Sequence, residues 1–156
     1  MIQKNKLRID EIEKKISDIL DAISLVEENL PDNAEEFIAL GLVKDGLYKK
    51  AEFAIESVLD ICNILNSDLR LGVPDTEDDL LNNLETKKIF PKKIVQIIRE
   101  MKRFRNVLVH KYGNIHDLTA YKDVHEGLKD FEPVIAQIEQ FLEKHKKQER
   151  KEKKNY

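Results

Sequence analysis

The chain has 156 residues, which suits one domain with a single core, and it carries one cysteine and a net charge of −3. One cysteine excludes an intramolecular disulfide and any zinc site built from several thiolates. No run reaches the roughly 18–20 apolar residues of a membrane span, and the N-terminus lacks a basic-then-apolar secretion signal, so the expectation is a cytoplasmic protein with no membrane partner.

Few glycines and prolines, with abundant Leu, Ile, Lys and Glu, predict helix throughout. Ile9, Ile12, Ile16, Ile19, Ile23, Val26 and Leu30 step by threes and fours until Pro31 stops the pattern. A second helix, starting near Asn33, carries Leu47, Ala51, Ala54, Val58, Ile61 and Leu65. Cys62 sits among Val58, Leu59, Ile61 and Leu65 and reads as a buried small hydrophobe, not a nucleophile. Leu71-Gly72-Val73-Pro74-Asp75 is a turn, after which Asp75 or Thr76 can cap a short helix running to about Lys88. Pro91 suits the first position of the next helix, which has Ile94, Ile97, Met101, Phe104 and Leu108 as its stripe and closes at Gly113-Asn114. Asp117 can cap the last helix, striped by Tyr121, Val124, Leu128, Phe131, Ile135, Ile138 and Leu142, with a kink expected at Pro133.

Four such seams predict an all-α fold, an up-and-down four-helix bundle with an additional short helix, over residues 1–142. Residues 143–156 are mostly charged and read as a frayed or disordered tail.

Charge is distributed unevenly. From Lys87 to Lys111 there are nine Lys or Arg (87, 88, 92, 93, 99, 102, 103, 105, 111) against one acid, Glu100. The preceding stretch holds Asp75, Glu77, Asp78 and Asp79 with no base. A local basic field attracts an anionic ligand even on an acidic chain, which makes Arg99, Lys102, Arg103 and Lys111 candidate RNA contacts.

The chemistry concentrates in Arg105-Asn106-Val107-Leu108-Val109-His110-Lys111-Tyr112. Arg105 can neutralise phosphate oxygens in a planar fork, and His110 can carry a proton near neutral pH. Arg99, Arg103, Asn106 and His110 share a helix face, and Ile98, Lys102, Arg105, Val109 and Tyr112 form a line beside it. Ile98, Val109 and Tyr112 lie off the core stripe, which predicts a partner surface. One histidine cannot be both base and acid in a single step, so a second copy of His110 across a two-fold axis would complete a ribonuclease site. No dense carboxylate set accompanies His110, so metal dependence is not expected. On the second helix Glu52, Glu56, Asp60 and Asn63 draw a polar line; Glu56 and Asp60 are candidates for positioning Arg105 or His110. The bland readings are that this line is a solvated face, that His110 is a helix-terminal cation and that Arg105 is an ion-pair partner.

Arg, four residues, His, one residue, Tyr resembles the signature of the HepT-like ribonucleases, a branch of the HEPN superfamily of small helical ribonucleases. The similarity runs from the first helix to about Leu142 and includes Ala54-Ile55-Glu56, Leu59-Asp60-Ile61 and Tyr121. The resemblance implies a metal-independent, homodimeric endoribonuclease with no cofactor, in which Arg105 and His110 are catalytic and Asn106 assists. It further implies a toxin of a toxin–antitoxin pair, a minimal nucleotidyltransferase as antitoxin, and Tyr112 as acceptor of AMP. The competing expectation is a non-catalytic binding or partner subunit of a nucleotidyltransferase; a third is an interaction bundle that meets an acidic protein.

Overall fold

The stripe beginning at Ile9 becomes helix α1 (Ile9–Asn29) in a computed structural model that describes residues 6–155. Its buried residues, Ile12, Ile16, Ile19, Ala22, Ile23 and Val26, keep the three–four spacing of a single face. The chain leaves α1 extended at Leu30, as the residue before a proline prefers.

The second segment is two helices where one was expected from Asn33. Helix α2 (Ala34–Ile38) is capped by Asn33, whose side chain accepts the Glu36 amide at 2.9 Å; helix α3 (Leu42–Asp68) starts after Gly41. Gly41 has φ +61 and ψ −118, a backbone that no helix contains and that side chains disfavour. The break lets α2 fold back, so that Phe37 is fully buried between the rings of Tyr48 (5.5 Å) and Tyr121 (5.3 Å).

Helix α4 (Glu77–Thr86) is capped by Thr76 through the Asp79 amide at 3.1 Å, and helix α5 (Lys92–His110) begins one residue after Pro91. Helix α6 (Asp117–Gly127) takes His116 as its cap in place of the expected Asp117: Nδ1 accepts the Thr119 amide at 3.3 Å. The Asp117 carboxylate is engaged instead by Lys44 and Tyr48 of α3. The last stripe also divides. A 3-10 turn (Leu128–Asp130) joins α6 to α7 (Phe131–Lys154), so the irregularity expected at Pro133 falls before it. Pro133 itself stands in the first turn of α7, where its missing donor has no carbonyl to satisfy. Beyond Leu142, where a frayed or disordered tail was expected, α7 continues as helix to Lys154. Lys146 reaches Glu13 of α1 at 2.9 Å, and His145 meets Glu149 one turn on at 3.4 Å.

Helix α3 packs on α1 and on α5, α4 bridges α3 and α5, and α7 lies against α5, giving an all-α bundle without strands among the described residues. The main core draws on α1, α3, α4, α5 and α7. A smaller cluster, with Val26, Phe37, Leu47, Tyr48, Leu108, Tyr121 and Val124, seats α2 and α6 at the end where α5 terminates. That end carries the Arg–His motif. Among the described residues no helix is long and apolar enough to cross a membrane.

Candidate functional site

Helix α5 changes character along its length. Ile94, Val95, Ile98, Met101 and Leu108 are buried, whereas Val109 and His110 are exposed where the helix emerges from the bundle. Ile98 belongs to the chain's own core, being fully buried, which removes it from the partner surface expected for it. Helix α4 packs on both α3 and α5 and so adds a covering element that the four-stripe pattern does not include.

Arg105 is buried despite its charge, and its guanidinium is held on three sides. Nε donates to Asn106 Oδ1 at 3.0 Å, Nη1 donates to Glu56 Oε1 at 3.2 Å, and Nη2 donates to Glu77 Oε1. Burial works against the charged form, but the hydrogen bonds that the guanidinium donates to Glu77 and Glu56 outweigh it and raise the pKa above the ordinary arginine value. The cation is therefore permanent and fixed in direction. Two of its five donors remain for a ligand.

His110 ends α5 and is exposed, five residues beyond Arg105. At about 100° per residue the two side chains leave the helix roughly 140° apart, so one copy does not bring them together on a single face. Tyr112 follows in the turn after α5 and is 72% exposed.

The other candidates separate. Glu56 stands beside Arg105, whereas Asp60, one turn further along α3, pairs with Lys15 of α1 at 3.4 Å and is not part of the cluster. Lys102 and Arg99 turn toward α4 and meet Asp78 at 2.6 and 3.4 Å; Lys102 above all holds that carboxyl below its usual range. Much of the basic field on this flank is thus neutralised internally. Arg103, whose nearest acid is Glu100 at 3.9 Å, and Lys111 remain exposed.

Two groups emerge that sequence reasoning had not singled out. Glu77 appeared only as one of an acidic run; the adjoining basic stretch was the available signal that the two would meet. The second is a triad beneath the motif: Tyr48 donates to Asp117 Oδ1 at 2.6 Å and Lys44 donates to Asp117 Oδ2 at 2.8 Å. Burial alone would push the Asp117 carboxyl up, but Lys44 and Tyr48 outweigh it and hold it low. The triad pins the start of α6 to α3 and so anchors the Lys111–His116 connection.

A cavity of about 320 Å³ lies between α1, α3, α5 and the α6–α7 junction, lined by Ile23, Met101, Phe104, Val107, Val124 and Phe131 among others. Neither Arg105 nor His110 reaches it. Val109, His110 and Tyr112 stand instead on open surface where α5 emerges, with Arg105 buried behind them.

The family model for ribonuclease HepT-like proteins matches residues 19–138, most of the chain and all of the motif. The chain belongs to the HepT-like ribonuclease family. It is 25% identical over 129 residues to the mRNA nuclease HepT of Shewanella oneidensis, covering 83% of this chain and 96% of the relative. The tri-AMPylated Shewanella oneidensis HEPN toxin in complex with MNT antitoxin superposes with a TM-score of 0.74 at 24% identity, covering 83% of this chain and 97% of that one. The cytosolic protein YutE of Bacillus subtilis, of unknown function, gives a TM-score of 0.75 at 17% identity over 89% of this chain and 93% of its own. At these identities the structural likeness is one of fold. Both ends of this HepT-like chain, including the charged extension of α7, lie outside the family match.

Proposed function

We propose that this HepT-like protein is a metal-independent endoribonuclease toxin whose active cleft forms between two copies of the chain. The observation that carries the reading is the state of the motif: a fixed, permanently charged Arg105 and an exposed His110 on the same emerging helix end. Because they diverge by roughly 140°, a cleft holding both chemistries is best made by two α5 ends facing each other. Exposed apolar side chains favour that end as an interface: Val109, Tyr112 and Leu118, with Leu42 and Val43 drawn close by the Lys44–Asp117 ion pair.

In such a cleft one His110 takes the proton of a ribose 2′-hydroxyl as O2′ attacks phosphorus. The second copy's His110 gives a proton to the departing 5′-oxygen, leaving a 2′,3′-cyclic phosphate and a 5′-hydroxyl. Arg105 offers guanidinium donors to the non-bridging oxygens as charge builds on them, and Asn106 holds the Nε side of the guanidinium. Glu56 positions Arg105. Arg103 and Lys111 are the exposed cations available to flanking phosphates, with Arg99 and Lys102 secondary because Asp78 already engages them. The antitoxin would be a minimal nucleotidyltransferase acting on Tyr112, whose exposed hydroxyl is open to transfer of AMP; the bulky anion would then block the cleft and offset its positive charge.

The engagement of Arg105 by two carboxylates favours a second reading, a non-catalytic partner subunit of a nucleotidyltransferase. The purified chain, incubated with RNA in EDTA, decides. Cleavage to 2′,3′-cyclic phosphate ends supports the nuclease; intact RNA together with transferase binding supports the subunit.

A further inference from the structure

The two carboxylates on Arg105 are not equivalent. Glu56 lies in the middle of the 27-residue helix α3, between the buried Ile55 and Ser57, so its backbone is fixed by the core. Glu77 is the first residue of a ten-residue helix, directly after the Leu71–Thr76 connection, and its side chain is half-exposed like that of Glu56. Its neighbours on α4 need not move if Glu77 turns away. Thr76 still caps the helix, and Asp78 still ties it to α5 through Lys102 and Arg99.

We infer that Glu77 is a stand-in for the substrate phosphate: its carboxylate occupies the Arg105 donor that an RNA phosphate takes, and it swings into solvent when RNA binds. The inference rests on the nuclease reading for its biological meaning, but its physical content is a competition between two anions for one guanidinium. A carboxylate and a phosphate present the same acceptor geometry to an arginine fork. Two anions at one fork repel, so the less constrained of the two resident acids, the one at a helix start rather than in mid-helix, is the one displaced. Glu56 remains as the holder that keeps Arg105 aimed. The bland account of Glu77 is that an acid in the first turn stabilises α4 through the helix dipole. That account predicts a stability effect and none on ligand affinity.

The test is binding of a fluorescein-labelled single-stranded oligonucleotide with 2′-deoxy sugars, which keeps the phosphates and lacks the attacking hydroxyl. Anisotropy is read at about 0.15 M salt, near physiological ionic strength, with the full chain. Glu77→Gln and Glu77→Asp should each bind about 2–5-fold more tightly than the parent, the range expected for removing a partly exposed ion-pair competitor. Glu77→Asp keeps the first-turn charge and shortens the reach, so a gain there separates contact with Arg105 from charge at the helix terminus. In an Arg105→Lys background the gain should vanish, because the fork being competed for is gone. Glu56→Gln should show no tighter binding and, in RNA cleavage, should lower kcat more than it changes KM, with Glu56→Asp restoring part of the loss. Unchanged or weaker binding by both Glu77 variants overturns the inference, and so does a gain that persists without Arg105. Absence of cleavage by the parent would instead defeat the nuclease reading and leave the Glu77 result standing.

Discussion

Arg105 and His110 answer to different physics. His110 is exposed and ends a helix, so replacing it leaves packing intact. His110→Ala should lower cleavage by about 10²–10⁴-fold, the usual worth of a positioned acid–base group, at an unchanged melting temperature. A rate equal to the parent's would remove His110 from the mechanism. Arg105 is buried between two acids, so its variants need a fold control. Arg105→Lys keeps the charge but cannot hold Glu56, Glu77 and Asn106 at once, and should recover little of the roughly 10²–10³-fold loss expected for Arg105→Ala. Circular dichroism should show both folded, since Glu56 and Glu77 are each exposed enough to turn to water. Cys62 belongs to the core alone: burial pushes its thiol up to about 12, so it should resist alkylation while the chain stays folded.

Among the elements, the α2–α3 segment shows how one stretch can hold two glycines with opposite roles. Gly41 breaks the chain at φ +61, whereas Gly46 lies inside α3 and an added Cβ there would meet nothing within 4 Å. Gly46→Ala should stabilise the protein by about 0.5–1 kcal/mol, and Gly41→Ala should destabilise it by about 1–3 kcal/mol. Chemical denaturation that ranked them the other way would contradict the described break. The Asp117 triad joins α3 to α6 and adds a pH dependence. Its carboxyl is held below the usual range in the folded state, so its contribution is full above about pH 4, the unfolded carboxyl value, and is lost as pH falls through the lower folded value. Asp117→Asn should flatten that acid limb and loosen the Lys111–His116 connection, seen as faster amide exchange there.

For the whole molecule the central expectation is a dimer joined at the α5 end. Val109→Glu places a charge where the second copy would cover it, and should weaken dimerisation at least about tenfold in sedimentation. A strictly monomeric parent at micromolar concentration would rule out the two-histidine cleft. The extension of α7 is outside the motif's reach, on the flank where Lys146 meets Glu13. Removing residues 143–156 should therefore leave cleavage of a short RNA intact.

Periodicity alone specified the helices, because an amphipathic stripe is a local property that each segment carries whatever it packs against. The all-α bundle, the short helix near Glu77 and the motif on an emerging helix end were legible for that reason. Where helices stop was less so: Asn33 to Leu65 has one continuous helical preference, and the break at Gly41 follows from burying Phe37 against Tyr48 and Tyr121, the latter from the far end of the chain. The types of the proposed functional side chains were likewise written in the sequence, as Arg105, Asn106, His110 and Tyr112. Their partners were not. Arg105 meets residues 49 and 28 positions away, and Asp117 meets Tyr48 across 69. Such pairings depend on which faces of α3, α4 and α5 are turned together. Only the packed tertiary structure decides that, because long-range ion pairs arise where burial brings charges close and no local pattern encodes them.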